Sequence, residues 1–172
     1  MNHAEKNRPQ PALAAALTVL LAVLCAGAAA LSNDREQPIQ LEADGVEFDE
    51  AKNRSVYEGN VIVVQGSLRL EADRVTVQHR ERQPARIFAE GTPVHFEQQP
   101  DEGGEPVKGR SRQAEYEVDS EEIVLIGDAH LIKGADSFAS DRIVYNRITE
   151  RVTAGTSAQG RERVKIRLEP QQ

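Results

Sequence analysis

The chain has 172 residues, 39% of them hydrophobic and 28% charged, with no Trp and a single Cys. That length suits one compact domain together with a targeting segment. The net charge of −7 is the wrong sign for attraction to a polyanion, so nucleic acid is excluded as a partner class. One cysteine excludes a disulfide scaffold, and the scattered His3, His79, His95 and His130 lack the spacing of a metal centre.

In chain order, the first expected element is a leader. Residues 1–10 are polar and carry Lys6 and Arg8, and residues 11–30 read PALAAALTVLLAVLCAGAAA. A basic start, an apolar stretch and the small residues Ala28, Ala29 and Ala30 are the three parts of a secretory signal, here cleaved after residue 30. The competing reading is a retained anchor, because about 20 apolar residues span a bilayer. Acylation at Cys25 is disfavoured by bulky Leu24 before it, where a lipoprotein signal needs a small residue. Cleavage removes Cys25, Lys6, Arg8 and Glu5, leaving residues 31–172 without cysteine and at a charge of −8. Such a chain must be held by its core and its backbone ladders, which its length permits.

From residue 38 onward the apolar positions alternate with period two. Ile39, Leu41 and Ala43 begin the pattern; Val46 and Phe48, Leu68 and Leu70, Val75 and Val77, and Val94 and Phe96 continue it. Ala114 and Tyr116, Ile143 and Tyr145, and Val164, Ile166 and Leu168 follow, with Gly, Asn, Asp or Pro between the runs. Half-buried strands and their turns read this way. The mature chain is therefore predicted to be all-β, a single domain over residues 31–172.

The chain also matches itself. Shifted by 68, residues 46–77 fall on 114–145 without a gap, with identities at Glu47/Glu115, Val56/Val124, Gly59/Gly127, Gly66/Gly134, Asp73/Asp141 and Arg74/Arg142. A fixed offset of this kind marks an internal structural repeat, and its halves meet in the turn QQPDEGGEP at 98–106. A shorter unit recurs as LEADGVEF at 41–48, LEADRVTV at 70–77 and FASDRIVY at 138–145. In each, the apolar parity changes at the aspartate, which predicts a bulge or corner at Asp44, Asp73 and Asp141. Metal or proton chemistry at these aspartates is the alternative. Gly59 and Gly127 are expected to open strands, and Gly66 and Gly134 to close them in hairpins.

Catalytic signatures are missing from this pattern. There is no nucleophile-elbow serine, no Cys–His pair and no HExxH. Glu47, Glu71, Glu115 and Glu117 lie on the polar parity of strands, as do His95 and His130. Solvated strand faces account for them, against the competing reading of a glycosidase carboxylate pair. The chain is expected not to be an enzyme and to need no metal or cofactor.

Several segments are recognisable together: EQPIQLEAD at 36–44, EGNVIVVQG at 58–66, ADRV at 72–75, EGTPVHF at 90–96 and GEPVKG at 104–109 leading to Tyr116. They resemble the OstA-like (LptA-type) family of lipopolysaccharide-transport periplasmic bridge proteins, over essentially residues 37–167. The resemblance implies a twisted, slightly open β-jellyroll of consecutive antiparallel strands, two sheets and about sixteen short strands. It implies a protein of the periplasm whose apolar groove takes the acyl chains of lipopolysaccharide during outer-membrane assembly. It further implies head-to-tail self-association between an LptC-like homologue anchored in the inner membrane and an LptD-like assembly protein in the outer membrane. Matching the family's lipid-lining positions puts Ile39, Leu41, Phe96, Tyr116 and Val118 first in the groove, with Phe48, Val63 and Leu131 beside them. Headgroup phosphates would meet Arg35, Arg74, Arg80 or Arg142.

A bundle of acyl chains in water costs about 0.8 kcal/mol per exposed CH₂, so a carrier has to cover it. The first and last alternating runs, with Ile39 and Leu41 and with Val164, Ile166 and Leu168, are expected to be open sheet edges that join subunit to subunit. The basic Arg161, Arg163, Lys165 and Arg167 would then face Asp34, Glu36 and Glu42 of a neighbour. The rival readings are an LptC-like anchored component that keeps residues 11–30, a structural periplasmic β-protein without lipid, and an exported glycan-binding sandwich. The last should show aromatic platforms, for which three Tyr, four Phe and no Trp are few.

Overall fold

The computed structural model describes residues 34–100 and 104–170. The expected leader with Cys25, the side chain of Arg35 and the middle of the 98–106 turn lie outside the described residues. Ten strands follow one another: β1 (Gln40–Glu42), β2 (Gly45–Asp49), β3 (Arg54–Gln65), β4 (Leu68–Arg80), β5 (Gln83–Gln98), β6 (Val107–Glu117), β7 (Glu122–Lys133), β8 (Asp136–Asn146), β9 (Arg151–Ala154) and β10 (Lys165–Arg167). The ladder order is β1-β3-β4-β5-β6-β7-β8-β10, with β2 also on β3 and β9 also on β8. Each pairing is antiparallel.

The alternation slips once in β4, β5, β6 and β8, while β3 and β7 keep their parity across two left-handed residues, Gly59–Asn60 and Gly127–Asp128, and these irregularities build the molecule. In β4, Leu68, Leu70 and Ala72 are buried, and then Val75 and Val77. Registers shift between Glu58 and Val61, Glu71 and Arg74, Glu90 and Val94, Arg110 and Gln113, and Ile126 and Ala129. These bulges are ladder neighbours, so they line up as one seam from Asp44, between β1 and β2, to Asp141 in β8. A bulge bends its strand and sharpens its twist, and a row of them folds the ladder into two walls. The first wall holds β1, β10 and the halves of the long strands carrying Val63, Leu70, Phe96 and Leu131. The second holds β2, β9 and the halves carrying Val77, Ile87, Tyr116 and Tyr145. Six long strands cross the seam and four short ones do not, which gives the sixteen straight segments of a jellyroll. They belong to ten strands because pairing continues through the bulges.

Side chains at the seam hold the corner. The Asn60 amide donates to Asp44 Oδ2 at 2.8 Å, and the Asp44 N–H donates to the Gly59 carbonyl at 3.0 Å. One repeat later, Arg112 pairs with Asp128 at 2.9 Å. Asp141 accepts the Arg161 N–H at 2.6 Å, and this bond, with others from neighbouring N–H groups, holds its carboxyl below the usual carboxylate range. The aspartates thus serve the corner, as the parity change predicts. Gly59 and Gly127 correct the expectation that they open strands. They sit inside β3 and β7 at φ of +79° and +77°, where a bulge takes left-handed backbone; a β-carbon would collide with Asp44 at Gly59 and crowd Arg112 at Gly127. Gly66 and Gly134 are in the tight turns expected. Strands β3 and β7 are both twelve residues long and begin 68 residues apart.

The walls pack face to face. Phe96 of the first wall meets Tyr145 of the second with ring centroids 6.2 Å apart. Gly109 leaves the space into which Leu125 and Phe96 press. Val75, Val94, Val107, Leu125, Leu131 and Ile143 are inaccessible to solvent, and each such side chain stabilises the fold by about 1.5–3 kcal/mol.

Candidate functional site

The inward face is a set of rows that cross the whole ladder. In the first wall one row runs Leu41, Val63, Leu70, Phe96, Gly109, Leu131, Phe138 and Ile166. In the second wall a row runs Phe48, Ser55, Val77, Ile87, Tyr116, Ile123, Tyr145 and Val152. Each is closed in the middle, where Phe96 is 2% and Leu131 0% exposed, and each is open at one end, at Ile166 (57%) in the first row and at Phe48 (61%) in the second, with Leu41 and Val152 half-buried at the other ends. Apolar surface therefore emerges at both edges of the molecule and is continuous between them.

The residues singled out from sequence divide along this line. Val63, Phe96, Tyr116 and Leu131 are buried in the core, and Ile39, Leu41 and Val118 are half-buried against it. Phe48, expected inside, keeps the inward parity but lies on the edge strand β2, exposed and tilted against the His79 ring at 5.7 Å. Among the described residues no strand pairs beyond it. Ile166 and Leu168 are exposed at the other edge, and Val164 is half-buried. His95 is exposed and His130 half-buried, both on the outer parity. Arg74 and Arg80 are exposed and paired with Glu58 and Asp119, and Arg142 beside Ile143 is on the outer parity.

Opposite the seam the free ends of the two walls meet in a polar cluster that the sequence reading did not identify. Gln65 and Gln98 end β3 and β5 in the first wall; Tyr116, Glu121 and Arg147 lie at strand ends of the second. Arg147 donates to the Tyr116 hydroxyl at 2.7 Å, to Glu121 at 2.8 Å and to Gln65 at 3.2 Å. The Tyr116 hydroxyl donates to Glu121 at 3.0 Å. Burial raises the Tyr116 phenol above its ordinary range; Arg147 opposes that shift and Glu121 adds to it. Asp34, expected among the acids offered to a neighbour, is 6% exposed. It accepts from the Ser67 N–H at 2.8 Å, the Ser67 hydroxyl and Gln98. The one sequence signal for this cluster is parity, because Gln65, Gln98 and Arg147 continue the inward positions of Val63, Phe96 and Tyr145.

The inward rows are apolar faces packed against each other, and comparisons with known proteins show the family to which the chain belongs. The family described as LptA/(LptD N-terminal domain) LPS transport protein matches residues 40–151. The lipopolysaccharide export system protein LptH of Pseudomonas aeruginosa is 34% identical over 129 residues, 74% of each chain. The lipopolysaccharide export system protein LptA of Escherichia coli K12 is 35% identical over 118 residues, 67% of this chain and 63% of that one. The LPS-assembly protein LptD of Vibrio cholerae is 36% identical over 94 residues, 55% of this chain but 11% of its own length. The crystal structure of Pseudomonas aeruginosa LptH superposes with a TM-score of 0.73 at 31% identity, covering 80% of this chain and 99% of that one.

Proposed function

Since the chain belongs to the LptA/LptD N-terminal-domain family of lipopolysaccharide transport proteins, we propose that it carries lipopolysaccharide across the periplasm with the acyl chains between its two walls. The observation that carries this reading is the pair of inward rows, largely apolar along their length and exposed at Phe48 on one edge of the molecule and Ile166 on the other. A closed core would cover those ends, and a glycan-binding sandwich would place aromatic groups on an outer face. Residues 1–30 act as a leader removed on export, which places residues 31–172 between the membranes. The relatives are transport proteins, and the chain does its work by covering apolar surface, with no bond made or broken.

The finer parts of the reading follow from the edges. The exposed apolar ends at Phe48 and Ile166 fit successive copies of this chain, an LptC-like component on the inner-membrane side and an LptD-like protein on the outer. The retained-anchor and lipid-free readings lack support from the relatives named above. Photoreactive side chains at Ile39 and Phe96 are expected to crosslink to lipopolysaccharide in cells, and one at outward-facing His95 is not. Equal labelling at all three positions would show that lipid does not travel between the walls.

A further inference from the structure

The cluster joining the free ends of the walls contains one cation whose bonding is incomplete. The Arg147 side chain is 2% exposed, and its Nη1 serves Gln65, Tyr116 and Glu121. Its Nε and Nη2 donate to no hydrogen-bond acceptor among the described residues. These two nitrogens form the side-on edge with which a guanidinium grips a carboxylate or a phosphate through two parallel bonds. Buried charged donors are ordinarily satisfied. The acid nearest this edge is Asp34, whose Oδ2 stands 3.7 Å from Nη2, beyond hydrogen-bonding reach. Asp34 is held elsewhere, by Ser67 and Gln98, on a three-residue turn ahead of β1 that belongs to no ladder.

We propose that the Nε–Nη2 edge of Arg147 is an anion site for the phosphate of the transported amphiphile, and that Asp34 is a displaceable internal occupant. The position fits. Arg147 continues the inward parity of Ile143 and Tyr145 at the free end of β8, so a phosphate there stands where acyl chains lying between the walls reach solvent. A phosphate brings up to two charges and several acceptor oxygens against the single distant oxygen of Asp34. Glu121 and Gln65 stay on Nη1, so the guanidinium keeps its orientation while the occupant changes. The ligand class rests on the lipid reading above; the unused edge of Arg147 does not.

The test measures binding of bis-phosphorylated lipid A, and of the same lipid stripped of both phosphates, to residues 31–172. The wild type is expected to prefer the phosphorylated lipid by about tenfold, the scale of one charge-assisted hydrogen bond. Asp34→Asn should strengthen binding of that lipid alone, and Arg147→Met should abolish the preference while retaining the stripped lipid. If Arg147→Met fails to fold by circular dichroism, Asp34→Asn still decides, because a purely structural Asp34 would leave the preference unchanged or lower it. Inorganic phosphate should compete with the phosphorylated lipid and not with the stripped one. Equal affinity for the two lipids overturns the proposal, and if inorganic phosphate also binds, the site is one for free phosphate. Failure of the wild type to bind either lipid would overturn the transport reading itself.

Discussion

Two buried tyrosines of the second wall have their hydroxyls in different circumstances. Tyr116 is satisfied by Arg147, Glu121 and Gln65, and the Tyr145 hydroxyl is buried without a hydrogen-bond partner among the described residues. Burial, with Glu150 adding to it, pushes the Tyr145 phenol up to about 12, and burial raises Tyr116 as well. Both folded values exceed the unfolded value near 10, so their contribution is complete below pH 10. It is lost as pH rises through the folded values, because the unfolded chain gives up these protons first. Chemical denaturation between pH 9 and 12 is expected to show stability falling by about 1.4 kcal/mol per pH unit for each tyrosine above pH 10. Tyr145→Phe should reduce that slope and leave neutral stability within about 1 kcal/mol, since no hydrogen bond goes with the hydroxyl. A large loss at neutral pH would mean that this hydroxyl has a partner.

The seam turns a ladder into two walls, and its cost falls on Gly59 and Gly127. Gly127→Ala forces a side chain into φ near +77° and against Arg112, and is expected to destabilise by about 1–3 kcal/mol. Urea melts of Gly127→Ala and of Gly134→Ala, in the neighbouring hairpin turn, measure the two backbone costs separately. The corner aspartates were legible because a change of apolar parity is visible in a single strand. The glycines were misassigned because a turn and a mid-strand bulge both take left-handed backbone, and only pairing on both sides distinguishes them. Gln65, Gln98 and Arg147 broke the inward alternation at strand ends, yet a polar residue there reads equally well as the end of a strand. Their meeting with Asp34 and Glu121 depends on pairs such as Gln65 with Arg147, 82 positions apart, and no local pattern records such a contact. The inward parity of the first and last runs was legible from alternation, whereas the exposure of Phe48 depends on β2 being an edge strand.

Across the whole molecule the two edges differ in charge, although Arg167 is already paired with Glu169 at 2.6 Å. Outward positions at the β1 and β2 edge include Glu42 and Glu47, and those around β10 include Arg163, Lys165 and Arg167, all exposed. Opposite charges on facing strands contribute about 0.2–1 kcal/mol each, and pairing unlike edges builds an open stack rather than a closed dimer. Light scattering is expected to show mass growing with concentration for residues 31–172, weakening with salt, and no growth for a chain ending at Gly160. Equal behaviour of the two chains would remove β10 from the joint. The strand lengths then set how such a stack bears tension. A pull along the row of strands loads the hydrogen bonds between them, and the inner junctions join strands of 11 to 16 residues. The terminal strands β1 and β10 have three residues each. In a stack strained between two membranes, rupture would fall at the joints or at the equally short β1–β3 and β8–β10 pairings, and the ladder from β3 to β8 would stay whole.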